Sequence, residues 1–176
     1  WVTAQWAPYE QAGEPVRSCL LVQACGRLDG VPGSSTLKAY VTPQLETLEQ
    51  EEQECLELRP HSVERRTHVM NDQHGLTVTK ILREGEAEAH CQTFSYSQAE
   101  LQGLLLEGAS LLLLRVLALR RAVPTSLVFP AIDTEGYLCT VSYVSCWLGC
   151  PRLARLVQVG SPMLALLQDE SVLDET

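Results

Sequence analysis

Positive charge is scarce in this sequence. Its 176 residues include 13 Lys and Arg against 22 Asp and Glu, for a formal net charge of −9. The basic residues cluster only as Arg65-Arg66 and as Arg115 with Arg120-Arg121. Nucleic-acid binding draws on many clustered Lys and Arg side chains that neutralise phosphates. The sequence therefore argues against DNA or RNA as the main partner, and its acidic balance favours basic faces on protein partners.

A secretory leader and a long apolar run are also missing. The start, WVTAQWAPYE, has neither a basic n-region nor an apolar h-region. Glu107 and Arg115 interrupt the most apolar stretch, which falls short of the roughly 20 apolar residues that a membrane span needs. We therefore expect a core helix there, without membrane insertion, in an intracellular protein.

The cysteines favour a reducing compartment. Several lie in apolar runs such as SCLLVQAC and LCTVSYVSC, where a thiol behaves as a small buried hydrophobe. Their number is odd, which does not suit a complete set of disulfides. We expect reduced thiols without bound metal in a cytoplasmic protein. The seven cysteines are Cys19, Cys25, Cys55, Cys91, Cys139, Cys146 and Cys150.

Motifs of the common enzyme classes are absent from the sequence. It contains no P-loop, G-x-G-x-x-G, G-x-S-x-G, H-E-x-x-H or EF-hand pattern. These absences disfavour the commonest nucleotide, hydrolase and metal chemistries. We predict a protein that is not an enzyme, with no cofactor and with no catalytic or metal-binding residues.

Two sets of metal-ligand residue types lack the spacing of a site. Cys146-x3-Cys150, with Cys139 nearby, could supply thiolates, but structural zinc sites usually pair two ligand doublets. Buried thiols are the favoured interpretation. The histidines are irregularly spaced on predicted strands or loops, and we interpret them as loop or surface residues. They are His61, His68, His74 and His90.

Three further patterns have both a functional and a structural interpretation. His90 and Cys91 could form a nucleophilic pair, but adjacent residues of a strand point to opposite faces. Asp133–Gly136, with the sequence DTEG, only loosely matches the D-T-G of aspartic proteases and is predicted to be a turn. An acidic cluster could bind a basic partner or a divalent cation, but its irregular spacing favours a solvated face. It comprises Glu46, Glu49, Glu51, Glu52 and Glu54.

Turn residues divide most of the chain into short β runs, which indicates hairpins and an antiparallel sheet. Helix and strand both remain open for the glutamate-rich segment Gln44–Leu58. The predicted strands are Ser18–Gly26, Leu37–Thr42, Val63–Met70, Leu76–Leu82, Ala87–Tyr96, Ser126–Phe129, Tyr137–Val144 and Arg155–Val159.

One helix is predicted over Gln98–Ala122. Ser97 and Glu100 form an S-x-x-E capping box at its start, and Pro124 ends it. We predict an α+β fold, a curved antiparallel sheet with one long buried helix packed on it. Leu105, Leu112 and Val116 share the helix face that should be nearly fully buried. The domain is expected to span 18–168, between an irregular or docking segment at 1–17 and an acidic tail at 169–176.

Four segments, in order, carry a family resemblance. They are VTPQLETLEQ (Val41–Gln50), FSYSQAELQGLLLEGASLLLLRVLALRRAVPTSLVF (Phe94–Phe129), DTEGYLC (Asp133–Cys139) and RLARLVQVGSP (Arg152–Pro162). Together they resemble the ciliogenesis-associated interacting proteins known as CATIP, a family named for a tetratricopeptide partner. The segments cover less than half of the chain and are not catalytic motifs. One departure is the short Cys146–Pro151 connection, where the family has a longer strand-rich stretch; a splice variant, a truncated paralogue and omitted residues all remain open.

The resemblance implies a non-enzymatic scaffold or interaction protein of cilia. The family is implicated in actin polymerisation during ciliogenesis and is associated with motile-cilium structures. The resemblance therefore implies a location in the cytoplasm and cytoskeleton, in the cilium or its axoneme, including a radial spoke. Its partners would be proteins of the ciliary or actin machinery, among them a tetratricopeptide-repeat protein.

Two other functions stay open at the level of sequence. The first is an intracellular carrier that binds an apolar small ligand in a cavity between sheet and helix, which would need more than about 300 Å³ of apolar space. The second is a thiol enzyme, which would need a cysteine with a depressed pKa in an open cleft.

Overall fold

The structure is a computed structural model, and it describes residues 1–11, 15–26, 32–120, 126–147 and 154–158. The first seven strands are β1 Val2–Tyr9, β2 Arg17–Gly26, β3 Gly33–Val41, β4 Thr47–Leu56, β5 Val63–Asp72, β6 Gly75–Glu84 and β7 His90–Ser97. A 3₁₀ helix at Gln98–Leu101, the helix α1 at Glu107–Arg120 and the strands β8 Ser126–Ile132, β9 Leu138–Trp147 and β10 Ala154–Gln158 follow.

The strands form two antiparallel sheets. In the larger sheet, strands β1 to β7 lie side by side in chain order, and in the smaller one the order is β10-β9-β8. Each strand of the larger sheet pairs with the next along the chain, as consecutive hairpins require. The broad α+β prediction with an antiparallel sheet is confirmed, although strands dominate the fold.

The glutamate-rich segment is a strand in its central part, Thr47–Leu56. Its neighbours decide this, because β4 pairs along its length with β3 on one side and with β5 on the other. A β-bulge at Leu48 interrupts the first of these pairings, since Tyr40 lies opposite Glu49 and Val41 opposite Thr47.

The N-terminal segment was predicted to be irregular from its mixed composition, but most of it is a regular strand. Val2–Tyr9 forms β1, an edge strand whose eight residues all pair with β2. Tyr9 is buried, and Val2 packs against the main core. Long-range pairing therefore orders a segment that shows no clear hydrophobic period of its own. The predicted acidic tail at 169–176 lies outside the described residues.

The predicted helix is two separate elements. Ser97 and Glu100 do interact at the first, where Glu100 Oε2 accepts hydrogen bonds from Ser97 N at 2.8 Å and Ser97 Oγ at 2.6 Å. The helical turn then stops, because Gly103 has a φ of +76° and Leu105 N donates to the β8 carbonyl of Pro130 at 3.0 Å. The α-helix starts only at Glu107, and its 14 residues make it shorter than predicted. In the described part of the chain, no helix combines the length and apolarity of a membrane span.

The first half of α1 packs on one face of the larger sheet, which we call the inner face. Gly108–Leu112 are buried in a core shared with β2, β3, β8 and β9. Leu105 and Leu112 are each 8% exposed, so their predicted burial is confirmed, whereas Val116 is 40% exposed and its predicted burial is wrong. Beyond Leu114 most of the helix is exposed, so its apolar pattern continues past the residues that pack against it.

The N-terminus of α1 touches the sheet at Gly108. A Cβ added there would lie 2.4 Å from the Ala39 Cβ and 3.1 Å from Gln50 Oε1. Both neighbours point from the inner face, on β3 and β4. The helix can approach the sheet this closely because glycine has no side chain.

We expect Gly108→Ala to destabilise the protein. Alanine in place of glycine within a helix usually stabilises by about 0.5–1 kcal/mol, but the clash with Ala39 should reverse the sign and leave a net loss of about 1–2 kcal/mol. Urea unfolding followed by circular dichroism measures the difference. The exposed Ala118→Gly variant is the control for helix propensity alone, and a stabilised Gly108→Ala protein would contradict the close contact.

The two halves of α1 should differ in their sensitivity to truncation. In the first half, Leu112→Ala should lower the free energy of unfolding by about 2–5 kcal/mol, because it leaves a cavity in the core. Leu105→Ala, just before the helix, should have an effect of the same size for the same reason. Val116→Ala should change it by no more than about 0.5 kcal/mol, since the side chain is largely exposed. Equal losses for Leu112→Ala and Val116→Ala in thermal or urea unfolding would show that the end of the helix is buried after all.

Candidate functional site

A cleft of about 380 Å³ separates the inner face of β4–β7 from the smaller sheet. The first turn of α1 lies at one side of it, and Phe129, Ala131 and Val141 of β8 and β9 contribute apolar walls. This volume lies within the range of roughly 300–1,000 Å³ that is usual for small-ligand pockets. The cleft is therefore the candidate functional site.

Polar and charged residues occupy the inner face where it borders the cleft. The strand registers place Glu52, Thr67, Lys80 and Gln92 side by side in one row across β4–β7. The corresponding inner residues of β2 and β3 are apolar and buried in the main core. A sheet face covered by another layer is normally apolar, so this polar row departs from the pattern of the fold.

Gln50 connects the cleft to the helix. Its side chain is almost fully buried, and its Oε1 accepts a hydrogen bond from the backbone N of Gly108 at 2.8 Å. Its Nε2 donates to Glu52 Oε1 at 2.5 Å. The first N–H groups of a helix have no partner within the helix, and Gln50 supplies one from a strand. One amide thus orients the helix N-terminus and a cleft carboxylate together.

Burial perturbs both charged groups of the polar row. It raises the pKa of Glu52 to about 7, and the Glu54 carboxylate adds to this, while the hydrogen bond from Gln50 and the Lys80 ammonium oppose it. Burial also lowers the pKa of Lys80, against the opposing carboxylates of Glu135 and Asp133. Perturbed acids and bases that converge in a cleft are a recognised sign of a functional site.

The turn between β8 and β9 closes one end of the cleft. Asp133 Oδ1 accepts hydrogen bonds from the backbone N of Glu135 and of Tyr137, each at 2.9 Å. Tyr96 on β7 donates its hydroxyl to the Gly136 carbonyl at 2.6 Å, and the rings of Phe94 and Tyr137 meet edge to face. These contacts fasten the smaller sheet to the edge of the larger one and confirm the predicted turn at Asp133–Gly136.

The predicted acidic cluster is divided between the two faces of the sheet. Glu52 and Glu54 line the cleft, whereas Glu49 and Glu51 project from the opposite, outer face. The interpretation as one solvated face is therefore wrong for Glu52 and Glu54. The physical reason is the two-residue period of a strand, which sends neighbouring glutamates to opposite faces.

The histidines lie in four different places. His68 Nε2 contacts Glu49 Oε1 at 2.8 Å on the outer face, and His74 lies in the β5–β6 turn, where its backbone N donates to Asp72. His61 lies beside Gly85, and His90 borders the cleft. Among the described residues, no three His, Cys, Asp or Glu side chains are grouped to hold a metal ion.

The cysteines differ in their exposure. His90 borders the cleft and Cys91 is exposed, opposite Ile81 in the register, so the two adjacent side chains do not face each other. Burial raises the pKa of Cys19 and of Cys139, the reverse of what a thiolate nucleophile needs. Cys150 of the proposed thiolate group lies outside the described residues, and only the backbone of Cys146 is described.

Sequence reasoning missed Gln50 and Lys80 as members of the site. The available signal was the alternation Gln50, Glu52, Glu54 in a strand that turned out to have neighbours on both sides. That signal could be read only after the segment was known to be a strand.

The comparisons with known proteins point in one direction. Residues 1–150 match the family model described as Ciliogenesis-associated TTC17-interacting protein, N-terminal domain. The chain is similar to a Xenopus laevis protein named Ciliogenesis-associated TTC17-interacting protein, with 39% identity over 144 residues that make up 81% of this chain. It is also similar to the Homo sapiens protein of that name, with 33% identity over 81% of this chain, and to the Rattus norvegicus one, with 36% identity over 72%.

The chain is short beside these relatives. The matched residues cover 38% of the Xenopus protein, 37% of the human one and 26% of the rat one. No solved structure matches the chain.

The raised pKa of Glu52 should make stability depend on pH. Its carboxyl keeps a proton up to about pH 7 in the folded state, against an ordinary value of 4.5. The folded state then binds more protons than the unfolded state between these values, so the free energy of unfolding should fall as pH rises from about 4.5 to about 7. Glu52→Gln should remove this part of the fall, on the order of 2–3 kcal/mol.

The measurement is urea unfolding of both proteins across that pH range. Glu51→Gln is the matched control, because it removes an exposed carboxylate from the neighbouring position of the same strand, on the opposite face of the sheet, and keeps Glu52. A Glu52→Gln protein whose stability follows pH as the unmodified protein does would contradict the burial of this carboxyl.

Proposed function

The chain belongs to the family of ciliogenesis-associated TTC17-interacting proteins, and we propose that it is a non-enzymatic interaction protein of cilium assembly that binds a tetratricopeptide-repeat protein. One observation carries the proposal: 81% of the chain aligns at 39% identity with a relative whose name states such an interaction. The family model matches residues 1–150, which contain the strands of the larger sheet, α1, β8 and β9. The matched residues therefore include nearly all of the fold described above.

The exposed surfaces of the fold suit protein binding. The outer strands of the larger sheet, β1 and β7, each have one side without a neighbouring strand among the described residues. Such edges can accept an added strand from a partner. The outer face of β4 and β5 is also accessible, because Glu51 is exposed and the Arg66 side chain is 51% exposed.

The proposal extends to a place and a process. The protein acts in the cytoplasm and cytoskeleton, at the cilium or its axoneme, and takes part in the actin polymerisation that accompanies ciliogenesis. A radial spoke is the axonemal assembly in which it would serve. Family membership and the acidic balance, which favours basic partner surfaces, support this extension.

The cleft favours a second candidate function, that of a carrier. Its volume of about 380 Å³ exceeds the roughly 300 Å³ that a small ligand needs. Its walls are not apolar throughout, however, because Glu52, Glu54 and Lys80 border it. An apolar ligand would leave these groups desolvated and unpaired, so a carried molecule would have to bear polar or charged groups.

Binding to purified TTC17, the tetratricopeptide-repeat protein that the relatives' names give as their partner, tests the proposed function. We expect a saturable interaction by isothermal titration calorimetry. We also expect the association rate constant to fall as salt rises, because charges separated by more than about 8–10 Å are screened near physiological ionic strength. Cys91→Ser and His74→Ala, both in exposed positions, should bind equally well, since no thiol or imidazole chemistry is needed.

A tagged form expressed in ciliated cells gives the second readout, with cilium number, localisation and co-purifying proteins recorded. A protein that does not bind the repeat protein, and that stays away from cilia and actin-rich sites, would overturn the proposal. A small polar molecule found in the purified protein by native mass spectrometry, without partner binding, would favour the carrier.

A further inference from the structure

The outer face of the larger sheet has a recess of about 200 Å³ that is lined by the end of β1 and by residues of β3 and β4. Aromatic rings and carboxylates line it, and it lies on the opposite side of the sheet from the cleft. We call it the outer recess. Its lining residues are Pro8, Tyr9, Glu10, Lys38, Tyr40, Glu49 and Glu51.

Two tyrosine rings form its aromatic part. The ring centroids of Tyr9 and Tyr40 are 4.9 Å apart with the planes tilted by 42°. Both rings pack with Cys19 and with Leu48, the residue of the β-bulge, in a small apolar cluster on this face. That packing fixes the ring positions, so the recess is preformed.

The chain already places a cation on this aromatic surface. The Lys38 Nζ lies 5.2 Å from the centroid of the Tyr40 ring. This distance is within the roughly 6 Å at which an ammonium is attracted to the face of an aromatic ring. Lys38 is exposed and belongs to the same lining, so its long side chain can move away and leave the ring to another cation.

Carboxylates outnumber this one ammonium. Glu10 and Glu51 are exposed at the rim, and Glu51 lies opposite Lys38 in the strand register. Glu49 is held in place by His68 Nε2 at 2.8 Å and by the Tyr9 hydroxyl. Burial and the Glu49 charge raise the pKa of Tyr9 to about 12, so the phenol stays protonated and remains a donor to Glu49.

We propose that the outer recess receives one lysine or arginine side chain from a protein partner, in place of Lys38. Size decides against a free small molecule, because about 200 Å³ is below the roughly 300 Å³ at which small-ligand pockets begin. Charge decides between side chains: three carboxylates repel an acidic one, and an apolar one would desolvate them without compensation. The inference deepens the proposed function, since it names the surface and chemistry by which a partner binds.

The first experiment uses the isolated chain and short peptides. Acetylated Gly-Gly-Arg-Gly-Gly and Gly-Gly-Lys-Gly-Gly are titrated into it, with Gly-Gly-Gln-Gly-Gly as the neutral control, and backbone amide shifts are followed by NMR. We expect the basic peptides alone to shift amides at the end of β1 and in β3 and β4. Shifts that are the same with the neutral peptide, or that map elsewhere, would overturn the proposal.

Variants separate the two contributions. Glu51→Gln and Tyr40→Leu should each weaken binding about two- to fivefold, as expected for one exposed ion pair and one cation–π contact. Tyr40→Phe keeps the ring and should retain binding even if Tyr40→Leu fails to fold. Lys38→Met removes the internal competitor and should strengthen binding by a similar factor. Unchanged affinity in both Glu51→Gln and Lys38→Met would exclude the recess.

The second experiment distinguishes this inference from the proposed function. Glu51→Lys is compared with the unmodified protein in binding to the tetratricopeptide-repeat protein, and the exposed Glu84→Lys on β6 is the matched charge reversal outside the recess. Weaker binding by Glu51→Lys alone supports the outer recess as the contact. Equal binding by all three proteins keeps the proposed function and rejects the recess, whereas no binding by the unmodified protein rejects the proposed function and leaves the peptide titration to decide the recess.

Discussion

The N-terminus of α1 lies so close to the larger sheet that no side chain fits between them. An added Cβ at Gly108 would lie 2.4 Å from the Ala39 Cβ. The buried backbone N of Gly108 donates to Gln50 Oε1 at 2.8 Å. A buried helix end needs partners for its N–H groups, and here one comes from a residue 58 positions earlier in the chain. The helix can start only where β4 presents this amide. The rest of the interior is arranged around that contact.

The cleft follows from the position of the helix. From Gly108 the helix crosses β4, β3 and β2, and it leaves the inner residues of β5–β7 to be faced by the smaller sheet. Lys80 of β6 lies in this region and Glu52 of β4 lies in the same row, and burial disfavours the charged forms of both. Groups of this kind usually cost stability unless they are paired, so apolar residues would stabilise the fold more. The polar row therefore marks the cleft as the candidate functional site and not as part of the packed core.

Local signals in the sequence were enough to locate most strands. Turns such as Asn71–Gly75 and Asp133–Gly136 carry residues with an intrinsic preference for turns, and the hairpins form around them. Segments without such a preference were decided by distant partners. Val2–Tyr9 is ordered by β2, and the glutamate-rich segment is ordered by β3 and β5, neither of which is visible in the segment itself.

The helix shows the same limit from the other side. The capping box at Ser97 and Glu100 is real, yet it starts only a short 3₁₀ helix, because Gly103 has a positive φ and Leu105 N donates to β8 instead of continuing the helix. Helical periodicity also marks Val116 as a core position, but a period says which residues share a face and not how far along the axis that face is covered. The spacing of apolar residues therefore predicts which face of a helix is directed at the core better than it predicts how much of the helix is buried.

The glutamate-rich strand β4 shows why function was harder to predict than fold. Its sequence is one acidic run, but successive residues of a strand point to opposite faces of the sheet, and the two faces differ in burial and in neighbouring charges. Glu52 shares the Gln50 amide with the helix N-terminus, and its pKa is raised to about 7, close to neutral pH. Glu51, its neighbour, lies in solvent opposite Lys38 and borders the tyrosines of the outer recess. Because the sheet separates the two carboxylates, the charge of one surface can change without altering the polar groups that position the helix on the other.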